Sequence, residues 1–139
     1  MTIASTDQSV RKTDVAIVGA GLAGATAGAM LARAGRDFVV IDPDKVHPWD
    51  FRVEKLDPSQ IALLKKTGLA DLVLPAVTPS DDLWVARLGR FVEKRRNEQM
   101  GIYYDALVNR FRAAIPPERF VQSKVVSLTT SPDRQTLAQ

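Results

Sequence analysis

The stretch "DVAIVGAGLAGATAGAMLARAGRDFVVIDPD", residues 14–44, decides the fold. Val15 to Val18 is a short apolar run and predicts a buried strand. Three glycines follow at the spacing Gly19-x-Gly21-x-x-Gly24. From Ala23 to about Ala34 the residues are good helix formers, with Leu22, Met30 and Leu31 as candidates to pack on a sheet. Gly35 stands where a helix C-terminal cap is expected. Phe38 to Ile41 predicts a second buried strand, and Asp42 closes it. A strand–helix–strand unit of about 30 residues predicts a parallel pair with a right-handed crossover.

Each glycine has its own physical task. Gly19 permits the tight turn out of the strand. Gly21 lacks a side chain, so a pyrophosphate can approach the backbone, and Gly24 lets the helix pack closely on the strand. The helix N-terminus offers unpaired N–H groups and a partial positive charge to phosphates. Residues 25–41 separate Gly24 from Asp42, which places the acid where a ribose hydroxyl would need an acceptor. Asp44 lies beyond the strand end and is the weaker candidate. The pattern is that of a dinucleotide site. A carboxylate repels a 2′-phosphate, so NADP is disfavoured in this pocket. FAD and NAD both carry a free adenosine ribose and both fit.

The bulk numbers set the limits. The chain has 139 residues, about one domain. With 45% hydrophobic and 25% charged residues it is ordinary globular material. Having no cysteine, it excludes disulfide scaffolds, cysteine–zinc sites and thiol nucleophiles. A single histidine excludes a multi-histidine metal centre, and no metal site is expected. No apolar stretch is long enough to cross a bilayer, and the start has no signal-peptide core, so a cytoplasmic location is expected. The net charge is +3. The densest basic cluster, Lys94-Arg95-Arg96, is flanked by Glu93 and Glu98 and reads as a solvated face, with no nucleic-acid partner expected.

Along the rest of the chain, residues 1–12 are polar and expected to be disordered. The segment with Pro43, Pro48 and Trp49 reads as a loop. Asp57-Pro58-Ser59-Gln60 is a helix start with a capping-box pattern, and the helix should stop at Gly68. Leu69 to Leu74 suggests one more turn. Leu83 to Val92 predicts a hairpin about Leu88-Gly89. In "GIYYDALVNRFRAAIPP", residues 101–117, Tyr104, Leu107, Val108 and Phe111 fall at helical spacing. Arg119 to Val121 is a candidate third strand of the first sheet. Val125 to Thr129 alternates, Ser131 to Arg134 reads as a turn, and a return strand follows.

These residues resemble a family. The run from Val15 to Asp42 is similar to the N-terminus of FAD-dependent oxidoreductases of the aromatic-hydroxylase type, the flavoprotein monooxygenases. "DFRVEKLDPSQIALLKKTGLADLV", residues 50–73, resembles that family's segment after the second strand, and "GIYYDALVNRFRAAIP", residues 101–116, its helix before the third sheet strand. Val125 to Leu137 would begin the family's β-meander. The resemblance covers roughly residues 13–137. It implies an α/β, Rossmann-like FAD-binding domain with a parallel sheet and a small β-hairpin or meander. Gly19, Gly21, Leu22, Ala23 and Gly24 would line the FAD pyrophosphate, Asp42 would hold the adenosine ribose, and Arg52 would approach the flavin side or the phosphates. The family more often has glutamate at the position of Asp42. It also often offers a polar or basic side chain to the flavin at the start of the later helix, where Met100 and Gly101 stand here, beside Gln99.

The family's second flavin motif, a glycine–aspartate pair, does not occur in these residues. Residues 13–139 are therefore expected to be the N-terminal part of an FAD-binding domain, incomplete before that motif and the substrate domain. The resemblance implies an NAD(P)H-dependent monooxygenase acting on a small organic substrate, with this segment alone inactive and its catalytic residues unassigned. His47, Trp49, Trp84 and at least one of Tyr103 and Tyr104 are expected to pack rather than act. Two other readings share the opening unit: an NAD-binding dehydrogenase domain, and a non-catalytic nucleotide-binding or interaction module. The first should continue with a second strand–helix–strand half, which residues 83–94 do not suggest.

Overall fold

The computed structural model describes residues 10–96, 98–130 and 135–138. Strand β1 (Val15–Val18) leads through the glycine turn into helix α1 (Leu22–Arg33), and strand β2 (Phe38–Asp42) returns beside β1 in parallel, Val15 opposite Phe38. The N–H of Gly19 donates to the carbonyl of Ile41 at 2.8 Å, which carries the pairing to the mouth of the turn. At the far end of α1, Gly35 has a φ of +61°, and the N–H of Arg36 reaches back to the carbonyl of Leu31. That is the glycine-closed helix end expected from the sequence.

The middle of the chain is antiparallel. It comprises β3 (Val53–Leu56), α2 (Pro58–Thr67), the single turn α3 (Ala70–Val73), a 3-10 turn (Leu74–Ala76), β4 (Thr78–Pro79), β5 (Asp82–Arg87), β6 (Arg90–Arg96) and β7 (Met100–Tyr103). β7 lies between β3 and β4. The Asp57 carboxylate caps α2 at the N–H of Gln60, and the Gln60 side chain answers at the N–H of Asp57. β5 and β6 form the expected hairpin, with Leu88 and Gly89 both at positive φ. Lys94 on it pairs with Asp82 at 2.8 Å, a solvated basic face as anticipated.

Helix α4 (Tyr104–Arg112) follows β7 directly. After a short 3-10 turn, β8 (Phe120–Gln122) joins β2 in parallel, giving the order β1-β2-β8. β9 (Ser127–Thr130) and β10 (Gln135–Ala138) make the closing hairpin. Its turn, and residues 1–9, lie outside the described residues.

The core has two parts. Ala25 and Ala29 of α1 meet Leu107, Val108 and Phe111 of α4, with Leu56, Ile61, Leu69, Val73 and Ile102 closing round them. On the other part, Phe38 and Val40 pack with Ala20 and Ile115. Each fully buried Val, Leu or Phe of this kind contributes about 1.5–3 kcal/mol. Small residues set the spacing. A Cβ on Gly28 would lie 2.8 Å from the Ile115 Cδ1 and 3.0 Å from the Val40 Cγ2.

Several expectations need correction. The apolar run of β1 is not buried here: Val18 is 57% exposed. Among the described residues β2 is the only strand beside it, so β1 is an edge of its sheet. Of the packing candidates on α1, Leu22 and Leu31 pack against the core but Met30 is exposed, and the buried residues of the helix are Ala25, Gly28 and Ala29. Met100 and Gly101 belong to strand β7 rather than to the start of α4. β3, β4 and β7 were not legible, because each is short and none alternates cleanly. Trp49 is 76% exposed, not packed.

Candidate dinucleotide site

The glycine turn is made of three positions with different needs. Gly19 has a φ of +89°, a backbone that side-chain-bearing residues rarely adopt. A Cβ on Gly24 would sit 1.9 Å from the carbonyl oxygen of Gly19 and 3.2 Å from Ile17 of β1, so the helix can lie this close only without one. Gly21 is unlike both. Its φ of −65° suits any residue, and the nearest atom to an added Cβ is the Tyr104 hydroxyl at 3.9 Å. Neither conformation nor packing explains a glycine there. It leaves open a space above the start of α1.

That start is uncapped by any side chain and has no acid in its first turn. The first bond of the helix runs from the N–H of Ala25 to the carbonyl of Gly21, so the amides of Leu22, Ala23 and Gly24 precede the helical ladder. Bare backbone, a helix N-terminus and an open approach are what a diphosphate needs, and these residues fit one.

Below the turn the structure is closed. Asp42 ends β2 as expected, and its Oδ2 accepts the N–H of Ala20 at 2.6 Å. Its Oδ1 accepts the N–H of Asp44 at 2.9 Å. The guanidinium of Arg112, the last residue of α4, lies 3.4 Å from Oδ2. Arg112 Nε also donates to the carbonyl of Ala20 at 2.7 Å, and Nη1 donates to the carbonyl of Asp44. Asp42 and Arg112 are the two buried charged residues of the described chain. Sequence reasoning missed Arg112. The signal was present: 104, 107, 108, 111 and 112 fall on one helical stripe, and a charge on a buried stripe demands a partner.

Beside the turn stand Arg52 and Tyr104. β3 and β7 pair with Val53 opposite Tyr103, so Arg52 falls opposite Tyr104, and the N–H of Tyr104 donates to the Arg52 carbonyl at 2.9 Å. The Arg52 guanidinium lies over the Tyr104 ring, 4.2 Å from its centre. Its Nε donates to Asp50 Oδ2 at 2.7 Å. That bond holds the Asp50 carboxyl below the usual aspartate range and raises Arg52. His47 packs edge-on against Tyr104 at 5.3 Å. Asn109 brackets the His47 backbone, accepting its N–H at 2.8 Å and donating to its carbonyl at 3.0 Å. His47 is thus a packing residue. Tyr104 and Asp105 are the polar residues of the first turn of α4, and Gln99 lies just before β7.

Thus the structure gathers Gly19, Gly21, Leu22, Ala23 and Gly24 at one helix end, with Asp42 beneath them and Arg52 reaching their flank through Tyr104. Among the described residues there is no cluster suited to a metal ion, and no helix is long and apolar enough to cross a membrane.

Known proteins share this fold and part of this sequence. The squalene epoxidase of Schizosaccharomyces pombe is 38% identical over 65 residues, which are 47% of this chain and 14% of that protein. The p-nitrophenol 4-monooxygenase PnpA of Pseudomonas putida has the same fold, with a TM-score of 0.75 at 19% identity over 88% of this chain and 35% of the other. So has 2,6-dihydroxypyridine-3-hydroxylase of Arthrobacter nicotinovorans, with a TM-score of 0.68 at 22% identity over 93% of this chain and 33% of that one. The chain therefore spans about a third of the solved proteins it matches. The model of the FAD binding domain matches residues 12–129, and this chain belongs to that family.

Proposed function

We propose that this chain is the adenosine-diphosphate-holding portion of a flavin-dependent monooxygenase that draws electrons from NAD(P)H and acts on a small organic substrate. Gly19, Gly21 and the first-turn residues Leu22, Ala23 and Gly24 receive the FAD diphosphate. Asp42 has acceptor capacity beyond its internal bonds and takes a ribose hydroxyl. Arg52, stacked on Tyr104, faces the flavin side of the diphosphate. Bound FAD would supply the redox and oxygen chemistry, for which no side chain here is suited. The protein binds and orients.

The single observation that carries this reading is Gly21, a glycine required by neither backbone nor packing beside an uncapped helix start. The monooxygenase and epoxidase relatives support the reaction class. The matched region is about a third of the solved monooxygenases and 14% of the epoxidase, so the flavin half of the cofactor and the substrate are taken to meet residues outside this sequence. The NAD-dehydrogenase reading loses support from the antiparallel β3-β7-β4 sheet, which stands where a second strand–helix–strand half would run.

Equilibrium dialysis of the chain against FAD and ADP tests this. Weak binding of both at similar affinity is expected, because only the adenosine and diphosphate half is present. Tight stoichiometric FAD binding would overturn the half-site reading, and no binding of either would overturn the nucleotide reading.

A further inference from the structure

We infer that Arg112 is a positioning residue of the dinucleotide site, one that fixes the ribose acceptor and the diphosphate turn as one unit. The inference rests on the nucleotide reading above and deepens it.

The guanidinium makes three contacts on three different chain segments. Nε donates to the carbonyl of Ala20, inside the glycine turn. Nη2 faces Asp42 Oδ2 at the end of β2. Nη1 donates to the carbonyl of Asp44, in the loop that follows. The same Asp42 oxygen accepts the N–H of Ala20. Ala20 is therefore held at both its N–H and its carbonyl, and it is completely buried. A closed loop results: Ala20 N–H to Asp42, Asp42 to Arg112, Arg112 to the Ala20 carbonyl. The residues on either side are Gly19, with its positive φ, and Gly21, which opens to the ligand.

The planar fork of arginine can serve all three acceptors together, and a lysine ammonium on its flexible stem cannot keep that geometry. The Arg112 side chain is 6% exposed, so it stands behind the turn rather than on its open side. It acts by fixing which Asp42 lone pairs remain for a ribose and where the turn amides stand. Removing it leaves a buried carboxylate and a buried carbonyl without their cationic partner. The loss should therefore appear as lost recognition of the ribose hydroxyls as well as lost stability.

The test uses the full chain with ADP and 2′,3′-dideoxy-ADP, read by calorimetry or amide shifts. Wild type, Arg112→Lys, Arg112→Met, Asp42→Asn and the Arg112→Lys/Asp42→Asn double variant are compared, each with a melting curve. Wild type should prefer ADP over the dideoxy analogue by about tenfold, the loss of one good hydrogen bond. Arg112→Lys, which keeps the charge and whose melting curve reports its folding, should bind ADP about tenfold more weakly, with that preference falling towards one. The double variant should bind no worse than Asp42→Asn alone. If Arg112→Met fails to fold, Arg112→Lys carries the measurement. An unchanged preference in Arg112→Lys, or effects that simply add in the double variant, would overturn the inference while leaving the nucleotide reading intact. Wild type that binds neither nucleotide would overturn both.

Discussion

The hydroxyl of Tyr104 stands opposite Gly21: a Cβ on Gly21 would meet it at 3.9 Å, an ordinary van der Waals contact. Since the φ of Gly21 is also ordinary, Gly21→Ala should fold. It should cost under about 1 kcal/mol, the scale of a changed N-cap residue. A methyl group there would occupy the approach to the first-turn amides. Binding of ADP or FAD should weaken by about tenfold or more, the value of a displaced charge-assisted hydrogen bond. Urea unfolding and equilibrium dialysis read the two effects separately. An alanine variant that binds as well as wild type would remove the main support for the site.

Gly24→Ala should behave in the opposite way. The added Cβ would lie 1.9 Å from the backbone oxygen of Gly19, and backbone cannot swing aside as a side chain can. Either α1 moves off β1 or the turn is rebuilt. A destabilisation of about 3 kcal/mol or more is expected, the upper range for overpacking. The urea midpoint would show it without any ligand. A variant as stable as wild type would mean that the helix does not sit this close.

How much of this could be read from the chain alone depends on how local each determinant is. The β1-α1-β2 unit was legible because its glycines, its apolar runs and Asp42 lie within one continuous stretch. The Asp57–Gln60 cap was legible for the same reason, since both partners of the capping box are three residues apart. β3 and β7 were not, because Val53 and Tyr103 are a pair only once the chain has closed across the helices between them. The partnership of Arg52 with Tyr104 follows from that register, so it was invisible too. The exposed face of β1 misled for a further reason: an apolar run predicts burial, and burial needs a neighbour that the run itself does not specify.

Arg52→Ala tests the flank of the site. The arginine is exposed and paired with Asp50, so its removal should leave the melting temperature close to that of wild type. Its charge, held over Tyr104, lies on the side of the turn where the diphosphate is proposed. Affinity for ADP should fall by roughly three- to tenfold at low salt, and the difference from wild type should shrink as salt rises. A titration at two ionic strengths measures this. Equal affinity of variant and wild type at low salt would place Arg52 outside the site.

The acid limb of stability should come largely from capped and paired aspartates. The Arg119 side chain, by hydrogen bonding, holds the Asp37 carboxyl below the usual range, and the Ser59 hydroxyl followed by the Gln60 N–H does the same for Asp57. For both, the folded pKa lies below the unfolded one, so the unfolded chain binds more protons in the interval between them. Their contribution is therefore complete above the ordinary aspartate value of about 3.9 and is lost as pH falls through the lower folded values. The urea midpoint should hold steady from about pH 6 down to about pH 4.5 and then decline. Asp57→Asn and Asp37→Asn should each lower the midpoint at neutral pH and flatten that decline, because the titrating group is gone. A wild-type midpoint that stays level down to about pH 2.5 would show that these hydrogen bonds do not favour the ionised carboxyl.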